Sequence, residues 1–171
     1  LQHANHTVPD RDHGYCTDDN ARALMVAAMG REYLNTNSKC FDLLCSQYLS
    51  FLLHSFNDEN GRFRNFMTYE RQWIEEVGSE DAHGRALWGL GESVAFLGNP
   101  GQKTMSMTLF SKAVREVEHF KSPRAIAFAL VGIRGYLKKF SGDSEVRRVR
   151  EVVANGLFDP FNSKVSVCWR W

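Results

Sequence analysis

Apolar residues recur along this chain in two different helical patterns. From residue 41 to 56, Phe41, Leu44, Cys45, Tyr48, Leu49, Leu52 and Phe56 follow the i, i+3, i+4, i+7 spacing of a helix with one buried stripe and one wet face. Phe110, Ala113, Val114 and Val117 repeat that pattern, and Val146, Val149, Val153 and Leu157 repeat it more weakly. Between these lie segments of another character: "ARALMVAAMG" (21–30), "RALWGLGESVAFLG" (85–98) and "AIAFALVGIRGYL" (125–137) are apolar nearly all the way round. That predicts helices buried on most sides. Gly89, Gly91, Gly132 and Gly135 lower helix propensity there but let neighbouring helices approach closely. Strand signals are sparse, and only the tail "SKVSVCWRW" alternates convincingly.

The predicted order is inner, outer, inner, outer, inner, outer. This gives three helical hairpins with their inner members packed together, the logic of an all-α, α/α toroid. The inner starts also align: "SEDAHGRALWGL" lies over "CTDDNARALMVA" at an offset of about 63 residues, and over "SPRAIAFALVGI" at about 43. Unequal periods fit poorly with a regular solenoid, but an α-solenoid binding scaffold remains the architectural rival. At 171 residues and 43% hydrophobic, the chain buries one good core and is short for two independent domains, so 1–171 reads as one unit. Residues 1–16 form its leader loop, and 57–79 a long loop between hairpins.

Charge and cysteine usage narrow the function classes. Lys+Arg 21 against Asp+Glu 20 leaves a formal net charge of +1, and "RRVR" (147–150) reads as a solvated helix face, so nucleic acid is not an expected partner. The four cysteines contain no CxxC pair and read as reduced thiols. With no apolar run near the roughly 18 residues of a membrane span, no membrane partner is expected, and the expected location is cytoplasmic. The start at Leu1 suggests a beginning inside a longer polypeptide.

The chemistry concentrates at the acidic starts of the inner helices. Thr17 or Ser79 at an N-cap, followed by acidic residues in the first turn, satisfies orphan N–H groups and complements the helix dipole. In a ring of hairpins, however, the inner helices run the same way and their N-termini gather at one mouth. Carboxylates from separate hairpins then converge, as glycoside hydrolysis requires: a protonated acid for the leaving oxygen and a second carboxylate to activate water or attack directly, roughly 6.5–9.5 Å or about 5–5.5 Å apart. Asp18, Asp19, Glu80 and Asp81 are the candidates. Adjacent residues diverge by about 100° around a helix, so only some of them face the mouth. The third start keeps Ser122 but has Pro123 and Arg124 where the others have acids.

Arg22 and Arg85 occupy equivalent places one turn in, suited to orienting the carboxylates or touching substrate. Tyr15 and the long loop's Asn65, Tyr69 and Trp73, with Arg64 and Arg71, have the composition of a sugar site, aromatic faces for C–H surfaces and polar groups for hydroxyls; the same loop also reads as folded on itself around Phe63, Phe66 and Trp73. His83, one turn from the acids, reads as a substrate contact or proton carrier, or as a satisfied semi-buried histidine. The leader's His3, His6, Asp10, Asp12 and His13 match no accepted metal-ligand spacing, and no cofactor motif or nucleophile elbow is present, so neither metal nor cofactor is expected.

Four runs, "HTVPDRDHGYCTDDNARAL", "GRFRNFMTYERQW", "GSEDAHGRALWGLG" and "SPRAIAFALVGI", in this order resemble a family of bacterial six-hairpin, (α/α)6 glycosidase-like domains that occur beside or fused to glycosyltransferases. The resemblance covers nearly the whole chain. It implies an (α/α)6 toroid, carbohydrate chemistry on an oligosaccharide or glycan, and a glycosyltransferase domain as a partner. Family members continue past a Trp-x-Trp segment like "WRW" into further hairpins, so this chain looks like the N-terminal half. An uncovered toroid edge then implies self-association.

Overall fold

The computed structural model describes residues 3–34 and 38–162, with side chains as far as Leu157. The described part is mostly helical. Its α-helices are α1 Thr17–Tyr33, α2 Ser38–Ser55, α3 Glu80–Ser93, α4 Pro100–Ala113, α5 Pro123–Lys139 and α6 Ser144–Asn162, with a 3₁₀ turn at Val114–His119. The alternating tail, 163–171, and Cys168 lie outside the described residues.

The helices pair as the two apolar patterns require. Helix α1 packs on α2, α3 on α4 and α5 on α6, and α3 also lies between α1 and α5. Glycine makes this inner layer tight. A Cβ on Gly91 would stand 2.1 Å from the Gly132 carbonyl oxygen, one on Gly84 2.4 Å from that of Ala125, and one on Gly89 2.5 Å from that of Ala21. The matched positions ascend together, 84 with 125 and 91 with 132, so α3 and α5 run parallel. Helix α1 is parallel to them by the same logic, since Ala21 meets Gly89 and Asp18 meets Arg85.

The outer stripes are buried as their spacing predicts. Cys45, Leu49 and Leu52 from α2, Phe110 and Ala113 from α4, and Val146, Val149 and Val153 from α6 close over Leu24, Leu87, Leu90 and Ile133 of the inner helices. Each fully buried Leu or Ile contributes about 1.5–3 kcal/mol of transfer free energy. The expectation that all three inner helices are buried on most sides holds for α3 alone. Helix α1 exposes Arg22, Val26, Met29 and Tyr33, and α5 exposes Arg124, Ala127 and Arg134. The cause is position: α3 has an inner helix on both sides, whereas α1 and α5 each have one.

The leader and the long loop contain more pairing than the sequence predicts. Among the described residues, six two-residue strands form three antiparallel ladders: β1 Ala4–Asn5 with β2 Val8–Pro9, β3 Tyr15–Cys16 with β6 Phe66–Met67, and β4 Phe56–Asn57 with β5 Arg62–Phe63. Met67 also bridges Trp73 on its other side. Strands this short show no alternation to read, which is why the pattern missed them. Gly61 turns the β4–β5 hairpin with φ of 69°, a left-handed conformation that glycine adopts at little cost.

Candidate active site at the inner-helix mouth

Parallel packing places the N-termini of α1, α3 and α5 at one end, and each start is held by local chemistry. Ser79 Oγ accepts from Ala82 N at 3.1 Å and Ser122 Oγ from Ala125 N at 3.3 Å, so both serines cap as predicted. Thr17 does not. The N-cap of α1 is Cys16, in extended conformation and without a side-chain cap. Thr17 N donates instead to Asn65 O at 2.8 Å and its hydroxyl to Arg64 O at 2.6 Å, so the long loop anchors this start.

The four acids have separate roles. Glu80 Oε2 accepts from the backbone of Lys121 at 3.0 Å and Ser122 at 2.7 Å, clamping the entry to α5. Asp19 is ion-paired with Arg22. Asp81 accepts from Ser122 Oγ at 3.3 Å and is ion-paired with Arg124 of α5. Asp18 Oδ1 lies 3.2 Å from Arg22 Nε and 3.1 Å from Arg85 Nε. Arg85 therefore reaches across to the neighbouring helix and not to Asp81 one turn back on its own. Neither Nε–H is aimed at Asp18 Oδ1, which is buried and has no hydrogen bond among the described residues.

Burial is the largest influence on the Asp18 carboxyl and raises its pKa above the ordinary carboxylate value. Arg85 and Arg22 oppose the rise, while the charges of Asp19 and Asp81 add to it. Asp18 and Asp81 thus feel each other across the α1–α3 boundary. They are also equivalent in the inner-helix repeat, about 63 residues apart. Chemically, this is one carboxyl whose pKa burial raises, near a second carboxyl that is ion-paired with an arginine.

The other predicted contacts divide into two groups. Tyr15 and Trp73 lie against α2, on the outer layer, and Tyr69 stands beside Tyr15. Tyr15 opposes Met67 and Met67 opposes Trp73, so the three side chains share one face of the short-strand patch. That face meets Phe51 of α2, whose ring centroid is 6.2 Å from Tyr15 and 5.8 Å from Trp73. Tyr69 stacks parallel to Tyr15 at 6.3 Å. Asn65, by contrast, is buried: its side-chain oxygen accepts from the Cys16 thiol at 3.2 Å, and its backbone ties the loop to α1 and to Glu75. It holds the loop and is not placed to meet a substrate.

His83 requires the clearest correction. It is wholly buried, with Nε2 donating to Ala113 O at 3.0 Å and Nδ1 accepting from Phe63 N at 3.4 Å, between the rings of Phe63 and Phe120. Burial, with the nearby Arg62 charge adding to it, pushes its pKa down to about 3. It is a neutral core histidine that pins α3 to β5 and to the end of α4, not a substrate contact. On a helix start, position 83 turns away from the face shared by 81 and 85.

Three residues at this mouth escaped the search for acids. Arg124 stands at the repeat position of Asp18 and Asp81, and Phe128 at that of Arg22 and Arg85. The Arg85 guanidinium lies 4.1 Å from the Phe128 ring centroid, and half-buried Trp88 stacks on Phe128 at 5.7 Å. The third repeat reverses the charge and then supplies an aromatic, a signal that its register already contained. In comparison with known proteins, no family model, no curated protein and no solved structure matches this chain. Among the described residues, no helix is long and apolar enough to cross a membrane.

Proposed function

We propose that the chain is the carbohydrate-active part of a six-hairpin, α/α-toroid glycosidase-like domain, acting on a glycosidic bond at the mouth of α1, α3 and α5. The observation that carries this reading is the Asp18–Asp81 pair: repeat-equivalent carboxylates on adjacent parallel helices, one raised by burial and by the other's charge. Asp18 donates the proton to the leaving oxygen, and Asp81 serves as the second carboxylate, held by Arg124. Arg22 and Arg85 flank Asp18 at ion-pair distance, and Trp88 with Phe128 provides an aromatic floor beside them. Asp19 and Glu80 take supporting roles.

The test is chromatographic product analysis of an oligosaccharide panel incubated with the chain and with its Asp18→Asn and Asp81→Asn variants. Each substitution is expected to lower turnover by about 10²–10⁴-fold. Cleavage that survives both substitutions refutes the assignment.

A second reading is a non-catalytic module that binds glycan or docks a glycosyltransferase. Two observations favour it: Glu80 is committed to clamping the entry to α5, and α1 leaves Val26 and Tyr33 66% and 67% exposed along one edge. Val26 is the repeat equivalent of Gly89, the position at which α3 meets its inner neighbour, so that edge suits a further helix or a second copy. This reading predicts glycan affinity that Asp81→Asn spares and no turnover by any form.

A further inference from the structure

The aromatic residues against α2 form a site of their own. Tyr15 lines three adjoining cavities, of about 310, 540 and 640 Å³, and Tyr69 and Arg11 line the two larger ones on the leader side. Two features fix the platform. Tyr15 is locked to Met67 in the β3–β6 ladder, and at Gly14 the strands approach so closely that a Cβ would stand 1.8 Å from Met67 O. The Tyr15 and Tyr69 rings lie parallel to within 7°, with the Arg11 guanidinium 5.7 Å from the Tyr69 centroid.

The cavities differ in charge. Against α2, Gln47, Ser50, His54 and Arg71 line the space with Tyr15 and Phe51, and no carboxylate is among them. On the leader side, Asp10, Asp12 and Glu70 accompany Arg11. Arg71 is brought to its cavity by a left-handed backbone, φ 66°, in the tight turn where its N–H donates to Thr68 O at 3.0 Å. Tyr15 and Phe51 with a cation and three further hydrogen-bonding side chains, Gln47, Ser50 and His54, suit a pyranose ring that carries a carboxylate. The mixed polar lining at the other end suits neutral hydroxyls.

We infer that these adjoining outer-layer cavities, joined at Tyr15 with Arg71, His54 and Gln47 on the α2 side and Tyr69 and Arg11 on the leader side, are a second carbohydrate site that takes an acidic oligosaccharide, with the uronate carboxylate at Arg71. It stands apart from the Asp18–Asp81 mouth and does not depend on the chemistry proposed there.

Calorimetric titration of the chain with trisaccharides that carry a single terminal galacturonate, glucuronate or mannuronate on two neutral sugars tests the assignment, with a neutral trisaccharide and inorganic sulfate as controls. At least one of the uronate-bearing trisaccharides is expected to bind, with the neutral trisaccharide and sulfate at least about tenfold weaker. Tyr69→Ala and Arg71→Gln, both at exposed positions, are each expected to weaken that binding about tenfold with an unchanged unfolding midpoint. Asp18→Asn is expected to leave it unchanged. Binding by none of the uronates, equal binding of sulfate or the neutral sugar, or binding indifferent to Tyr69→Ala overturns the inference. Binding lost in Asp18→Asn also overturns it, because the ligand then sits at the mouth.

Discussion

Gly91→Ala offers the sharpest test of how the inner layer is built. In the middle of a helix the substitution by itself is favourable by about 0.8–1 kcal/mol, because alanine restricts the unfolded chain and suits helical backbone. At Gly91 the new methyl would stand 2.1 Å from the Gly132 carbonyl oxygen and 2.7 Å from its carbonyl carbon. Backbone cannot rotate away as a side chain can, so α3 and α5 must separate. Overpacking of this kind costs about 1–3 kcal/mol, and a contact this short belongs at the upper end, leaving a net loss of about 2 kcal/mol. Gly156 of α6 is the internal control, since a Cβ there meets nothing within 4 Å. Gly156→Ala is expected to stabilise by about 0.5–1 kcal/mol. Urea unfolding of both variants measures the contrast, about 2–3 kcal/mol between chemically identical substitutions. If Gly91→Ala is as stable as the parent, α3 and α5 do not touch through this pair, and the parallel inner layer that aligns Asp81 with Arg124 is wrong.

The remaining expectations concern single side chains. His83 is neutral in the fold, with a pKa of about 3 against 6.5 when unfolded, so the unfolded chain takes up the proton first as pH falls. Its contribution is complete above pH 6.5 and is lost progressively between 6.5 and 3, about 2 kcal/mol by pH 5; His83→Leu should show a flatter profile, and a parent as flat as the variant contradicts the burial argument. Arg85→Gln removes a charge that lowers the Asp18 pKa, so a ¹³C carboxyl titration should move that group further up, and a downward shift refutes the pairing. Glu80→Gln should loosen the start of α5 by about 0.5–1 kcal/mol, seen as faster amide exchange at Lys121 and Ser122, and unchanged exchange there rules out the clamp.

The sequence by itself determined the helical class, the alternation of one-faced and nearly all-apolar helices, and the equivalence of Asp18 with Asp81 and Arg22 with Arg85. Each of these follows from spacing along one helix or from one segment laid over another, and helical geometry turns spacing into a face without further information. Tertiary structure alone decided which acid does what. That Glu80 clamps the entry to α5, that Arg85 crosses to Asp18, and that Asp18 is raised by burial all depend on a neighbouring helix about 40–70 residues away in the chain. The same holds for His83, whose sequence neighbours are acids but whose spatial neighbours are Phe63, Phe120 and a carbonyl. Tyr15 and Trp73 read as companions of the acids because their segments have the composition of a sugar site, yet short pairings to Met67 turn them toward α2. Pairing that short leaves no periodic trace, so only the folded chain separates the aromatic crevice from the acidic mouth.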